Sequence, residues 1–207
     1  MYELGDGLPA EPIAPGTNVL IAGPPMTGKR NLAYDVLANG VAGGEGTIVV
    51  TTKDSADKVI SHLSDRTTGD LPQVGVVDCV TKQRGIGGAD NDPRIKYASS
   101  PVDMTGIGIK LSEFLQDFYE VRGLSENRVL LHSVSTLLMY SDLQTVFRFL
   151  HVFTGRIQSA DGLGLYVIDS TAHDDQTMNT LKQLFDGVIQ VDESEEEGQH
   201  IRTAGLS

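Results

Sequence analysis

The chain has 207 residues, 40% of them hydrophobic, and its 28 acidic against 16 basic side chains give a formal charge of −12. This size and composition predict one domain with a substantial core, and the absence of any run of about 18 apolar residues excludes a transmembrane helix. An acidic surface repels nucleic acid unless basic residues cluster, so we expect either a solvated acidic shell, as in proteins of a high-salt cytoplasm, or an acidic docking surface.

The N-terminus and the cysteine content indicate a compartment. Residues 1–7 are acidic and lack an apolar stretch, which is not the pattern of a secretory signal peptide. The single Cys79 excludes an internal disulfide framework and fits a reducing environment. We therefore expect a cytoplasmic protein without membrane insertion.

In the first half of the chain, apolar runs alternate with helical patterns. Residues 1–16 are rich in glycine and proline and predict an irregular N-terminal segment. Strands are predicted at residues 18–22, 47–52 and 74–80, and helices at residues 29–39 and from residues 54–57 onward. The dipeptide Asn39-Gly40 is expected to end the first helix. Residues 82–104 show no periodicity and predict a long loop, a kind of segment that often carries function.

The second half continues this alternation. Helices are predicted at residues 106–121, 142–158 and 175–185, and strands at residues 129–134, 163–169, 187–192 and 200–204. Strands that alternate with helices predict an α/β fold with a mostly parallel central sheet flanked by helices. The acidic stretch 193–198 is a predicted turn, and it makes the last two strands an antiparallel C-terminal edge hairpin.

The segment between the first strand and the first helix matches most of the phosphate-binding loop pattern G-x-x-x-x-G-K. In such a loop, backbone N–H groups and the helix N-terminus form a concavity of positive partial charge, and Lys29 would reach the β- and γ-phosphates. The alternative is a Gly-Pro turn that happens to end in lysine. We expect the segment to bind a nucleoside triphosphate, ATP, through Gly23, Pro24, Pro25, Met26, Thr27, Gly28, Lys29, Arg30 and Asn31.

The pattern breaks immediately after the lysine. Arg30 stands where serine or threonine normally supplies a hydroxyl to Mg²⁺. An arginine cannot ligate a cation, so its guanidinium either points to solvent or contacts phosphate in place of the metal's charge. Thr27 lies too early in the loop to be an obvious substitute, and the sequence leaves the Mg²⁺ ligands unassigned.

Several segments together carry a family resemblance: PGTNVLI at 15–21 before the phosphate loop, VVTT at 49–52, SAD at 55–57, RVLLHSVSTLL at 128–138 and FDGVI at 185–189. In this order they resemble the KaiC-like branch of the RecA superfamily of ATPases, in its archaeal single-domain form, over nearly all of residues 1–207. DCVT at 78–81 and SPVDMTGIG at 100–108 resemble a haloarchaeal subgroup, which suits the acidity.

The resemblance implies a RecA-like fold, with ATP bound between subunits of a ring or filament, and roles in timing, motility or DNA transactions. The family's second strand usually ends in a glutamate pair that activates the attacking water, and that place is Lys53-Asp54 here. Asp54 is then either a general base or the N-terminal cap of the next helix. In the family, an aspartate at the end of the fourth strand holds Mg²⁺ through water, and His132 stands at that position here. A lone histidine after an apolar run is more often a satisfied core residue than a metal ligand. Asp169 is a rival for the metal, although strand order puts it where a phosphate sensor would sit.

The family also often has a Lys-x-Arg pair near the C-terminus that reaches the neighbouring subunit's nucleotide. Arg202 matches its first position, and Ala204 stands at the second, so half of the pair survives. A homo-oligomer therefore remains an expectation with weakened support.

Three departures, at Arg30, Lys53 and His132, affect the metal and the water-activating base. General base catalysis alone contributes about 10²–10⁴ in rate, whereas binding by the loop backbone and Lys29 need not suffer equally. The sequence therefore predicts an ATP-binding regulatory protein with weak or absent hydrolysis, which acts as a nucleotide-dependent switch or scaffold for protein partners in signalling or motility. In this interpretation ATP orders the 82–104 loop.

Two other functions stay open. The first is an active ATPase that uses Asp54 as base and Asp169 at the metal. The second is an accessory factor in DNA recombination or repair that would use the loop cations Lys82, Arg84, Arg94 and Lys96. The net charge disfavours nucleic acid, and these cations could instead meet the nucleotide of an adjacent subunit.

Overall fold

A computed structural model describes residues 1–5, 8, 11–69, 71, 73–85, 92–194 and 198–206, and over these it forms one eight-stranded sheet. The strands are β1 Asn18–Gly23, β2 Gly46–Thr51, β3 Val74–Asp78, β4 Ile95–Tyr97, β5 Asn127–His132, β6 Leu163–Asp169, β7 Gly187–Ser194 and β8 Gly198–Ala204. The helices are α1 Lys29–Ala42, α2 Ala56–Ser64, α3 Met104–Gln116, α4 Val134–Tyr140, α5 Leu143–Ser159 and α6 Asp175–Lys182.

The strand order is β4-β3-β2-β5-β6-β1-β7-β8. All neighbouring pairs are parallel except β7 and β8, which pair antiparallel at one edge. The predicted α/β fold with a C-terminal edge hairpin is therefore confirmed. Because parallel strands end at the same edge of the sheet, the residues that follow β1, β2, β5 and β6 lie close together there.

Two cores cover the sheet. Val19 and Ile21 belong to the core under α1 and α2, whereas Leu20 and Ala22 belong to the core under α3 and α5, because successive strand side chains point to opposite faces. We call these sides the α1–α2 face and the α3–α5 face. The central strands are buried along their whole length, which explains why they appear in the sequence as continuous apolar runs.

The predicted end of the first helix is wrong, since α1 continues through Asn39-Gly40 to Ala42. Gly40 serves a close approach instead of a stop: a β-carbon there would collide with the Arg128 guanidinium. The Arg128 side chain is buried and forms an ion pair with Glu45, with its Nε 2.6 Å from a carboxylate oxygen. Tertiary packing therefore overrides the local stop signal at Gly40.

A helix was missed after the fourth predicted strand. That strand, β5, ends at His132, and α4 begins at Val134 because the Ser133 side chain caps it by accepting a hydrogen bond from the Thr136 N–H. The third predicted helix ends in a π-helical turn at Asp117–Val121.

The predicted loop 82–104 is partly regular. Residues 95–97 form β4, which pairs with β3, while residues 86–91 lie outside the described part of the chain. Of the predicted turn 193–198, Glu193 and Ser194 belong to β7 and Gly198 to β8, and residues 195–197 also lie outside the description. Within the described residues, none of the helices combines the length and apolar character needed to cross a bilayer.

Candidate functional site

The loop between β1 and α1 turns sharply at two positions with left-handed backbone. Gly28 has φ 80°, which glycine adopts freely, and Met26 has φ 66°, which costs a residue with a side chain about 1–2 kcal/mol. The Thr27 hydroxyl donates a hydrogen bond to the Pro24 carbonyl at 2.9 Å, which stabilises the turn of the loop. Gly23 is required by a close approach, because a β-carbon there would collide with the Val191 carbonyl oxygen of β7.

Lys29 is the buried first residue of α1, directly after this loop. Its Nζ donates to the Pro24 carbonyl at 2.7 Å and lies 2.6 Å from Asp169 Oδ1. Asp169 ends β6 directly beside Gly23 in the parallel register. The sequence therefore identified both partners of this ion pair, although the pairing itself was not expected.

A second ionic cluster flanks the loop. The Arg30 guanidinium lies 3.1 Å from Asp54 Oδ2, and Lys58 Nζ lies 2.6 Å from Asp54 Oδ1. Burial acts to raise the pKa of Asp54, but the hydrogen bond and charge of Lys58, together with the charge of Arg30, outweigh it and hold this pKa below its usual value. The Asp54 carboxylate is therefore ionised, and a cation engages each of its oxygens.

The alternative role of Asp54 as a helix cap is wrong. Ser55 is the N-cap residue of α2, and the Ala56 N–H donates at 2.8 Å to the Asp78 carboxylate at the end of β3. Asp78 also accepts from the Thr81 hydroxyl. A cap supplied by a neighbouring strand leaves no local sequence signal, whereas the spacing of Asp54 and Lys58, one helical turn apart, is visible in the sequence.

His132 ends β5 as a buried and incompletely satisfied side chain. Its Nδ1 has no hydrogen-bond partner among the described residues, so the expectation of a satisfied core histidine is wrong. Burial lowers its pKa to about 4, which leaves the ring neutral at pH 7. The peptide bond to Ser133 is cis, and Thr52 joins this junction to β2 because its hydroxyl accepts from the Ser133 N–H at 2.8 Å.

Asp169 connects the loop lysine to two further polar residues. Its backbone N–H donates to Ser135 Oγ at 2.9 Å, and His173 Nε2 lies 2.9 Å from the same oxygen. Burial holds the pKa of His173 below its usual value. Sequence reasoning missed His173, whose only signal is its position shortly after a strand that ends in aspartate.

These elements enclose a cleft of about 350 Å³. Its lining residues are Pro25, Met26, Gly28, Lys29, Arg30, Asn31, Lys53, His132, Ser133, Val167 and Asp169. The lining contains three cationic side chains against one carboxylate, so the cleft is locally positive in a chain of strongly negative charge. Gly23, Pro24 and Thr27 form the back of the loop and do not line the cleft.

The lining offers few of the oxygen ligands that Mg²⁺ prefers. Arg30 and His132 occupy the two positions where the resemblance implies a hydroxyl and a carboxylate, and Asp169 already pairs with Lys29. Within the part of the chain that the structure describes, no three His, Cys, Asp or Glu side chains gather in a way that could hold a metal ion. The residues present therefore do not fit a conventional magnesium site.

Of the other predicted cations, Arg84 lines a hollow that adjoins the cleft and shares Lys53, Ser133 and Asp169 with it, whereas Arg94, Lys96 and Arg202 line neither. Arg94 pairs with Asp92, and Lys96 pairs with Glu113 of α3. Arg202 pairs with Asp192 across the β7–β8 hairpin, with Nη2 2.6 Å from the carboxylate.

Two solved structures share the fold. The chain aligns with the uncharacterized protein PH0321 from Pyrococcus horikoshii, solved in complex with an unknown peptide, at a TM-score of 0.71 and 15% identity over 93% of this chain and 84% of that one. It also aligns with the KaiC-like protein PH0186 from the same archaeon, at a TM-score of 0.62 and 13% identity, over 94% of this chain and 81% of that one. The KaiC-like fold implied by the resemblance is therefore confirmed, while the haloarchaeal origin stays a prediction.

In sequence, the chain matches a family whose function is unknown. No curated protein matches the chain significantly. The sequence model of a family of unknown function (DUF7504) matches residues 16–191, which is most of the chain. The protein therefore belongs to the DUF7504 family.

Proposed function

We propose that the chain binds the triphosphate of ATP in the cleft beside Lys29 and works as a nucleotide-responsive switch with little hydrolysis. The observation that carries this proposal is the contrast between a glycine-bounded loop with a buried lysine and a facing set of side chains, Arg30, Lys53 and His132, that cannot bind Mg²⁺ or activate water in the usual way. Backbone N–H groups and lysine suffice to hold phosphate.

The charge balance of the cleft supports anion binding. Lys29 is neutralised by Asp169 in this structure, and Arg30 by Asp54, so a bound triphosphate would compete with two carboxylates for these cations. Arg30 then supplies positive charge where a metal ion would otherwise do so. The chemistry left to this chain's own residues is binding and charge neutralisation, without the metal ion and the water-orienting residue that also contribute to fast phosphoryl transfer.

A route from the cleft to the surface supports the switch. When phosphate draws Lys29 away, Asp169 loses its ionic partner but keeps its contact with Ser135, which in turn contacts His173 in the turn before α6. We propose that this turn changes position on binding and that protein partners, or further copies of the chain, recognise the difference. The peptide bound to PH0321 supports a partner-binding role for this fold.

The test is ATP binding by calorimetry with Mg²⁺ and with EDTA, together with phosphate release and mass in solution. We expect affinities within about threefold of each other and turnover far below the enzyme median of about 10 s⁻¹. Lys29→Ala is the negative control for binding. Turnover near that median, or no binding under either condition, would contradict the proposal.

The second candidate is a working ATPase with Asp54 as base and Asp169 at a metal. The position of Asp169 in the cleft lining favours it, and the ion pair of Asp169 with Lys29 opposes it. Unchanged turnover in Asp54→Asn and Asp169→Asn would eliminate this mechanism. The DNA-accessory function is less supported, because Arg94 and Lys96 already have acidic partners. Absence of single-stranded DNA binding at low salt would remove it.

A further inference from the structure

A groove runs between α3 and α5 on the outer surface of the α3–α5 face, where some apolar side chains remain exposed. It consists of two hollows of about 370 and 490 Å³ that share Val152 and Arg156. The groove begins near Met104 and Thr145 and ends near Ala160. It is separate from the cleft at the strand ends, with which it shares no lining residue.

The groove is apolar and accessible. Ile109 is 50% exposed and Val152 is 53% exposed, while Phe149 and Leu115 line the groove and pack onto the core beneath. By contrast, α1 and α2, which the structure describes in full, carry no exposed large hydrophobic side chain. Ile109 and Val152 share one groove with Phe149 and Leu115, and apolar side chains grouped in this way, rather than standing singly, are typical of an interaction site.

The charge of the groove is opposite to that of the molecule. Arg148 and Arg156 line it, and neither forms an ion pair with a described residue, whereas Arg66, Arg94, Arg122 and Arg128 all do. The Arg156 guanidinium lies over Gly108 of α3, where a β-carbon would collide with it. Two unpaired arginines beside apolar residues favour a partner that is acidic and apolar together.

We propose that this groove is the docking site for an amphipathic helix of a partner protein, with acidic residues beside its apolar stripe. From Thr145 to Ser159 the α5 wall spans about 21 Å at about 1.5 Å per residue, which matches a helix of about four turns. The chain's own acidic stretch at 192–197 has no apolar residue. Its composition suits the arginines but supplies nothing to cover Ile109 and Val152, which argues against this stretch of a second copy as the occupant.

The groove can be blocked without disturbing the fold. A β-carbon on Gly155 would meet nothing within 4 Å, so Gly155→Gln places a polar side chain in the groove and improves the helix propensity of α5. Val152→Asp places an acidic group among the apolar side chains of the α5 wall. Val121→Asp is the matched control, since Val121 is 76% exposed and does not line the groove.

The probe is a labelled 15-residue amphipathic helix with a leucine stripe flanked by glutamates, measured by fluorescence anisotropy against the same helix with lysines. We expect the acidic helix to bind at least about tenfold more tightly than the basic one. Gly155→Gln and Val152→Asp should each weaken binding about tenfold, and Val121→Asp should leave it unchanged. Arg148→Glu should reduce the preference for the acidic helix.

Three results would overturn the proposal. The first is equal binding of the acidic and basic helices. The second is binding that survives both Gly155→Gln and Val152→Asp while the melting temperatures show folded proteins. The third is self-association of the full chain in sedimentation that Val152→Asp abolishes, because the occupant would then be a second copy. None of these results bears on ATP binding, so the groove and the cleft are tested independently.

Discussion

The cleft has two walls of different construction. One wall is the loop before α1 together with the first residues of α1, and its charged side chains are the buried Lys29 and the partly exposed Arg30. The other wall is formed by residues at or just after the ends of β2, β5 and β6, where side chains such as Lys53, His132 and Asp169 supply the polar groups. The loop wall keeps the phosphate-binding pattern, while the strand wall departs from the residues that the resemblance implies.

This difference teaches how binding and hydrolysis can separate. Every residue except proline carries a backbone N–H group, so the donors of a loop can persist while most of the nearby side chains change. A metal ligand or a general base is a specific side chain, and one substitution removes it together with about 10²–10⁴ in rate. A chain can therefore keep one wall and lose the function of the other.

The largest effect is expected from removing Lys29, the buried charged side chain of the loop wall. Lys29→Ala should weaken ATP binding by about 100-fold or more, because a buried charge-assisted contact worth about 2–5 kcal/mol is lost. Calorimetry measures the change. Lys58→Ala is the control, since Lys58 does not line the cleft. Equal losses in the two variants would show that the loop wall is not the binding wall.

The strand wall should make the stability of the protein depend on pH. His132 has a pKa of about 4 in the folded protein against an ordinary value near 6.5, so the unfolded chain binds the proton first as the pH falls. The contribution of the neutral His132 to the free energy of unfolding is therefore fully present above pH 6.5. It is lost as the pH falls towards 4, and the loss amounts to about 3 kcal/mol at most.

Denaturant unfolding of the wild type and of His132→Gln at pH 7 and at pH 4.5 tests this pH dependence. The variant should lose much less stability over this interval than the wild type does. Parallel curves for the two proteins would mean that other groups carry the pH dependence.

Restoring a hydroxyl beside the lysine should bring the two walls closer to the usual arrangement. Arg30→Ser removes the guanidinium that pairs with Asp54 and supplies the oxygen that normally ligates Mg²⁺. We expect ATP affinity of the variant to rise about tenfold on adding Mg²⁺, against little change in the wild type. Calorimetry with and without EDTA measures it, and Arg30→Ala, which lacks the hydroxyl, should show no such gain.

The smallest effect concerns the ion pair between the walls. Arg30 is 36% exposed in its side chain, so its contact with Asp54 is partly screened by solvent. A double-mutant cycle of Arg30→Gln and Asp54→Asn should give a coupling of about 0.5–1 kcal/mol in unfolding free energy at low salt, and less at high salt. A coupling of zero at low salt would show that Lys58 alone holds the carboxylate.

Much of this arrangement could be predicted from the sequence. The continuous apolar runs predicted most strands of the parallel sheet, because a strand covered on both faces is apolar throughout. For β6 the predicted range, Leu163 to Asp169, matches the observed strand. The turn between β1 and α1 was also predicted, since the glycine and proline residues that mark it are local.

The rest depends on contacts between distant residues. Arg30 meets Asp54 across 24 positions, and Asp78 caps α2 from another strand across 22. Gly40 lies within α1, where Arg128 packs against it and leaves no room for a β-carbon. A local pattern could not predict these pairings, because each depends on how the helices pack on the sheet.

The contact of Gly23 with the Val191 carbonyl has a consequence for how the family can vary. Every residue other than glycine brings a β-carbon, so a saturation library at position 23 should retain glycine alone, whatever the chemistry of the substituent. Alanine, the mildest replacement, should be rejected as firmly as a charge. Tolerance at position 23 would return only in variants that shift β7 away from the loop.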